Sequence, residues 1–323
     1  MPPVREVRGC RSVATVITAL AGGVGAARFL RGLVEVVAPS DVTAIVNVGD
    51  DIVLHGLHIS PDLDTVTYTL AGAIDPERGW GLAGETWAAM DALARYGGQT
   101  WFRLGDRDLA THLYRTQRRG EGALLSDVTA EIAAAWKLGL RLIPVTDDRL
   151  ETRVTVAGEG EIGFQEYFVG RQHAVAAESV RFVGAEVATP APGVLEAIAL
   201  ADAIIVCPSN PIVSIGPVLA VPGVEEAVRS RRDRVVAVSP IIAGHALKGP
   251  ADRLLVELGH EASVVGVARL YAPFVSTLVV DEADAALASA VEAEGVRCVV
   301  APTIMHGVAE AAALAQVTLG AAA

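Results

Sequence analysis

Short continuous apolar runs alternate along this chain with stretches in which apolar positions recur every three to four residues. The runs at 13–20, 42–48, 202–207, 234–238, 263–267, 276–280 and 297–301 read as strands. A strand covered on both faces shows no polar alternation, so each is expected inside a parallel sheet. Helical spacing predicts helices over 25–37, 65–73, 192–200, 222–230, 250–258, 282–294 and 305–316. Strand, glycine turn, helix and strand across 13–48 make a βαβ unit, which implies parallel strands and a right-handed crossover. The expected fold is α/β, a Rossmann-like, doubly wound, mostly parallel sheet.

The rhythm breaks between these blocks. Helices are expected over 85–96, 108–118 and 126–138, the last opened by Ser126 with Asp127 in its first turn. From 141 to 182 short strands follow, among them 152–156 and 164–169. The chain therefore reads as one domain over 13–323 carrying a helical and short-strand insertion at about 80–185. Arg5, Arg8 and Arg11 precede an apolar stretch, as in a secretory leader. That stretch is short and runs into a charged helical pattern at Arg28 and Arg31, so residues 1–12 read as a loose tail and the location as cytoplasmic. No segment is long and apolar enough to span a membrane.

Composition narrows the chemistry. Apolar residues make up 52% of the 323 and aromatics 5%, so the core is expected to be Ala, Val, Leu and Ile. A formal charge of −12 argues against nucleic acid or an anionic membrane as partner. Any anionic ligand must be held by local cations or a metal. Lys137 and Lys248 are the only lysines, and no Gly-Lys-Ser/Thr follows the glycine turn, which excludes a P-loop NTPase. Cys10, Cys207 and Cys298 show no paired spacing, so no thiolate metal site is expected.

Four loops should open at one end of the sheet: 21–26, 48–51, 208–216 and 239–244. In the first, Gly22, Gly23 and Gly25 can bring backbone amides to a phosphate, although Arg28 replaces the third glycine of the dinucleotide fingerprint. Asp50 follows the second strand. Asp62 and Asp64 stand two apart, so in an extended loop they point the same way. The three carboxylates can converge on one hard cation such as magnesium. Each also has a plainer use, Asp64 as a helix cap before Thr65 and Asp62 in a turn after Pro61. Ser209, Asn210 and Ser214 suit a base, ribose or phosphate, or a simple turn. Lys248 can reach a phosphate or sit solvated. Leu104-Gly105-Asp106-Arg107-Asp108 suits either a capped helix start or substrate binding.

Read in order, several motifs resemble one family. They include Gly22-Gly23-Val24-Gly25-Ala26-Ala27-Arg28-Phe29, Asn47-Val48-Gly49-Asp50-Asp51 and Pro61-Asp62-Leu63-Asp64-Thr65. Arg78-Gly79-Trp80-Gly81, the 104–108 motif, Pro208-Ser209-Asn210-Pro211, Ser214-Ile215-Gly216-Pro217 and Ser239-Pro240-Ile241-Ile242 follow. Together they resemble the CofD/FbiA family, transferases that build the deazaflavin coenzyme F-420. The resemblance runs from residue 13 to about 270; Ser60 stands where the family pattern has cysteine.

It implies a magnesium-dependent phosphotransferase, homodimeric in habit, acting on two small molecules. A guanosine diphospho-linked three-carbon acid gives its phosphorylated acid to the terminal ribityl hydroxyl of the deazaflavin Fo, and GMP leaves. The acid is phosphoenolpyruvate in the actinobacterial members this chain resembles and phospholactate in archaeal ones. On this reading Asp50 and Asp64 hold magnesium with Asp62 in support, and Asp64 also accepts the attacking hydroxyl's hydrogen bond. The deazaflavin is expected near Asp64, Arg103, Asp106 and Arg107. The guanosine donor is expected at Gly22, Gly23, Gly25, Arg28, Ser209, Asn210, Ser214, Gly216 and Lys248. Regulatory nucleotide-sugar-binding proteins like the gluconeogenesis factors share the glycine loop. They continue their acidic turn with Gly-Gly-Ser-Ser, where this chain has Asp51-Ile52-Val53-Leu54.

Overall fold

The computed structural model describes residues 15–322; the tail over 1–12, its arginines and Cys10 lie outside the described residues. Strand β1 (Ile17–Ala21) turns through the glycines into α1 (Val24–Leu33), and β2 (Val42–Val46) returns parallel to it. A hairpin of β3 (Ile52–Leu54) and β4 (Leu57–Ile59) leads into α2 (Pro61–Leu70). Helices α3 (Ala88–Arg95), α4 (Asp108–Gly120) and α5 (Leu125–Ala135) precede β5 (Arg141–Pro144). Then β6 (Glu151–Val156), β7 (Gly160–Gly163) and β8 (Ala177–Val183) form a separate antiparallel sheet.

The α/β alternation resumes with α6 (Val194–Leu200), β9 (Ala203–Val206), α7 (Gly216–Ala220), α8 (Val224–Arg229) and β10 (Val235–Val238). A small hairpin, β11 (Ile241–Ile242) with β12 (His245–Ala246), is followed by α9 (Ala251–Glu257) and α10 (Val264–Tyr271). Strand β13 (Thr277–Val280), α11 (Ala288–Ala293), β14 (Arg297–Val300) and α12 (Val308–Ala321) complete it.

The central sheet has seven strands, all parallel, in the order β14-β13-β10-β9-β1-β2-β5. The chain winds outward from β1 through β2 to β5, then restarts at β9 and winds the other way. The direction reverses between β1 and β9, and ligands of such sheets bind beyond the strand ends at that reversal. Ile17, Leu20, Ile45, Ile205, Val236 and Leu278 have no exposed surface, which accounts for the uninterrupted apolar runs. Helix α1 buries Ala26, Phe29, Leu30 and Leu33 and lies against both α2 and α12. Each such aliphatic side chain contributes roughly 1.5–3 kcal/mol by leaving water. No helix among the described residues is long and apolar enough to cross a membrane.

Several expectations are corrected. The run at 263–267 is the start of α10, not a strand: the Ser263 hydroxyl accepts from the Val265 and Gly266 amides and caps a helix. A short apolar run fits either element by periodicity alone. The expected strand at 164–169 is largely a π-helical turn over Glu166–Gly170. Ser126 is not a cap; its amide and hydroxyl both donate to Asp147 while α5 begins at Leu125. Strand β5 lies in the central sheet, so 80–185 comprises two excursions, a helical one before β5 and an antiparallel one after it. The helix expected from 65 starts at Pro61, since proline is preorganised for a first helical position.

Candidate functional site

Backbone crowding builds the glycine-loop side. A Cβ at Gly25 would lie 2.0 Å from the Pro208 carbonyl oxygen, so only glycine fits there, and one at Gly23 would lie 2.7 Å from Asp62 Oδ1. The Gly22 amide donates to Ser209 Oγ at 3.3 Å, and Ser214 also lies against Gly22. The β1 and β9 loops thus interlock at the winding reversal. Helix α1 begins with no side-chain cap and no acid in its first turn, which leaves its leading amides available to an anion. Asn210 Oδ1 accepts from the Ile212 and Val213 amides, while its Nδ2 is buried without a partner and free to donate. Gly216 opens α7 beside Phe182.

Asn47 joins this loop system to the acids. Fully buried at the end of β2, its Nδ2 donates to Asp62 Oδ2 at 2.9 Å and to the Val213 carbonyl at 3.5 Å. Its Oδ1 accepts from the Gly49 amide at 2.8 Å, which sets the turn that aims Asp50 and Asp51. Gln165 Nε2 donates to the Asp50 carbonyl at 3.3 Å from the π-helical segment's leading edge. Oδ1 of Asp50 and Oδ1 of Asp51 are buried and without hydrogen-bond partners; the other oxygen of Asp51 accepts from Ser60 Oγ at 2.6 Å. Burial first, then repulsion from Asp62, raises the Asp50 pKa well above the carboxylate range. Burial likewise pushes Asp51 up to about 8 and Asp62 up to about 6.

Among the described residues none of these three acids forms an ion pair. Buried oxygens that neither a donor nor a cation answers fit a hard divalent ion. No three His, Cys, Asp or Glu among the described residues are grouped closely enough to hold an ion unaided, so ligand and water oxygens would have to complete its shell.

Asp64 is placed differently. Its position in the first turn of α2 corrects the extended-loop reading. Two residues of helix rotate a side chain by about 200°, so Asp62 faces Asn47 and Asp64 faces α4. There the Arg115 guanidinium grips both carboxylate oxygens, Nη1 on Oδ2 at 3.1 Å and Nη2 on Oδ1. Burial opposes the charge on Arg115, but Asp64 and then Asp51 outweigh it and raise its pKa. One helical face of α4 carries Asp108, His112 and Arg115. Tyr68, one turn beyond Asp64 on α2, donates its hydroxyl to Asp108 at 2.5 Å. His112 Nε2 lies 3.3 Å from Asp108, and its Nδ1 3.7 Å from Asp64. Arg115 was not singled out in the sequence; its only local signal is the spacing from Asp108 and His112 along one helix face.

The remaining expected residues are more dispersed. Asp106 accepts from the Thr86 hydroxyl and the Ala88 and Ala89 amides, so it caps α3. Glu85 accepts from the Arg107 and Asp108 amides and caps α4, so the helix start expected at the 104–108 motif is capped from outside that motif. The Arg107 guanidinium donates to the Ala83 carbonyl. Arg103 lies 4.3 Å over the Trp87 ring, and the Arg78 guanidinium lies over both Trp80 and Trp87, at 5.4 and 5.3 Å. Lys248 lies against Gly79, its pKa lowered by burial and by the charge of Arg28.

A family model described as 2-phospho-L-lactate transferase CofD matches residues 17–307. A phosphoenolpyruvate transferase of Kitasatospora aureofaciens is 50% identical over 309 residues, covering 94% of this chain and 96% of that one. Another, from Mycolicibacterium smegmatis, is 45% identical over 309 residues, covering 90% of this chain and 93% of its own. The crystal structure of a UPF0052-family protein from Bacillus halodurans aligns with a TM-score of 0.60 at 17% identity. It covers 94% of this chain and 98% of that one, which shows a shared fold. With the match spanning the whole central sheet and relatives near half identical over both lengths, the chain belongs to the CofD family of transferases.

Proposed function

We propose that this chain transfers a phosphoenolpyruvyl group from its guanosine diphospho-linked form to the terminal ribityl hydroxyl of Fo. GMP is released and the dehydro form of coenzyme F-420-0 is made. The observation that carries this reading is the end-to-end likeness, at about half identity, to proteins named phosphoenolpyruvate transferase. The phospholactyl version has one observation in its favour, the description of the family model. Both reactions use one site and differ by two hydrogens in the product.

In the transfer the ribityl oxygen attacks the phosphorus that bears the enolpyruvyl group. A phosphorus–oxygen bond forms as the bond to the GMP phosphate breaks, GMP leaves with that electron pair, and the hydroxyl proton is lost to solvent. Such transfers rest on alignment and charge stabilisation more than on covalent help from the protein. The glycine turn and the 209–216 loop suit the guanosine donor, with the α1 amides, Arg28 and Lys248 offered to its phosphates. Asn210 Nδ2 is a spare donor for the nucleoside. Asp50, supported by Asp62, would hold magnesium, which supplies positive charge to the diphosphate. Asp64 orients the hydroxyl. The deazaflavin belongs on the side of Arg103 and Trp87, where Asp106 and Arg107 shape the loop rather than touch it.

The test is GMP release from each guanosine donor with magnesium, with and without Fo. Release that requires Fo is expected. Release without Fo would mark a hydrolase, and none with either donor would overturn the reading.

A further inference from the structure

We infer that Arg115 is a positioning residue of the transfer reaction: its fork withdraws Asp64 from the cation-holding set and fixes that carboxylate as an oxygen partner for the attacking hydroxyl. The inference rests on the transfer reading above.

Arg115 is 2% exposed and is anchored to three elements. On α2 it holds both oxygens of Asp64; in β4 its Nη1 reaches the His58 carbonyl at 3.3 Å; on its own helix Nη1 lies 3.4 Å from His112 Nδ1. A side chain tied at three points cannot swing to release its carboxylate. A bidentate fork also fixes the plane of the group it binds, which a lysine point charge does not. Each carboxylate oxygen carries two acceptor positions; the fork takes one from each, so each keeps one for a hydroxyl.

The geometry divides the acids by the turn of α2. Asp62 faces Gly23 and Asn47, beside the unpartnered oxygen of Asp50, while Asp64 faces a cation already in the protein. Tyr68, Asp108 and His112 brace the same helix pair one turn farther on, so α4 is held in register with α2. An ion seated on Asp50 and Asp62 therefore has no need of Asp64, and Asp64 keeps its aim whether or not the ion is bound.

Binding of manganese(II) in the presence of GDP, whose phosphate oxygens can complete the ion's shell and which carries no acid to transfer, is followed by electron paramagnetic resonance and read beside steady-state kinetics. Asp64→Asn should bind manganese within about twofold of wild type, while Asp50→Asn should weaken it by about tenfold or more. Arg115→Met should lower kcat by about a hundredfold with the donor KM little changed, and Arg115→Lys should recover about tenfold of that loss. Manganese affinity lost about tenfold in Asp64→Asn overturns the assignment. So does a wild-type kcat in Arg115→Met, or no recovery by Arg115→Lys. Should Arg115→Met fail to fold, Asp64→Asn and Arg115→Lys still decide. A chain that transfers neither acid would sink the functional reading, and the manganese titration would still judge where Asp64 belongs.

Discussion

Two acidic regions lie within one helical turn of each other and differ in how the protein answers their charge. At the ends of β2 and the α2 first turn, Asp50 and Asp62 are buried and Asp51 is half-buried, their pKa values are raised, and two of their oxygens have no partner. On the α2–α4 seam, Asp64 is gripped by Arg115. Burial would raise Asp108, yet His112 and Tyr68 hold its pKa below the usual carboxylate value. Similar residues at similar depth thus do opposite things. The answered charges fix geometry; the unanswered ones retain a demand for a cation that a bound ion can meet.

The comparison breaks most sharply at Asp50. Asp50→Asn should cut turnover by about 10²–10³ through lost charge stabilisation while the fold stays intact or gains stability, because a buried carboxyl that burial and Asp62 disfavour in its charged form is removed. Circular dichroism and kcat measured on the same preparation check both halves. Removing the answer on the other side acts on stability. Arg115→Met leaves Asp64 buried and alone, at a cost of about 3–5 kcal/mol, visible as a lowered midpoint in urea unfolding.

The pH response separates the regions next. Asp62 and Asp51 titrate near 3.8 when unfolded and at about 6 and about 8 when folded. Folded values raised above unfolded ones mean the folded state binds more protons, so these groups favour the fold at low pH. That advantage is lost as pH rises from about 4 toward about 8. Magnesium should offset the loss by occupying the deprotonated pocket, so the rise in Tm on adding it should be larger at pH 8 than at pH 5. Equal rises at both would place the ion elsewhere. The smallest effect is expected at Asp106, where Asp106→Ala removes the α3 cap with only a slight fall in Tm. KM for Fo should stay unchanged; a raised KM would return Asp106 to the deazaflavin site.

Much of this was legible before folding. Buried parallel strands left uninterrupted apolar runs, and the glycine turn with its following helix marked β1–α1–β2. Motif residues that meet in the fold, Gly23 with Asp62 and Gly22 with Ser209, were singled out from the sequence. Failures came where local pattern is silent. The stretch 263–267 read as strand because a short apolar run carries no period, and only the Ser263 cap resolves it as helix. Asp62 and Asp64 were read as sharing a face, which a helix beginning at Pro61 reverses. Arg115 is one arginine among many in a chain nearly devoid of lysine. Its importance comes from a partner 51 positions away, a pairing no local spacing encodes.

The most direct test of the transfer itself is the mass of the product formed when Fo, magnesium and equal amounts of the two guanosine donors compete for the enzyme. The phosphoenolpyruvyl product, two hydrogens lighter than its phospholactyl counterpart, is expected to dominate. Dominance of the heavier product contradicts the donor assignment, and Fo recovered unchanged contradicts the transfer.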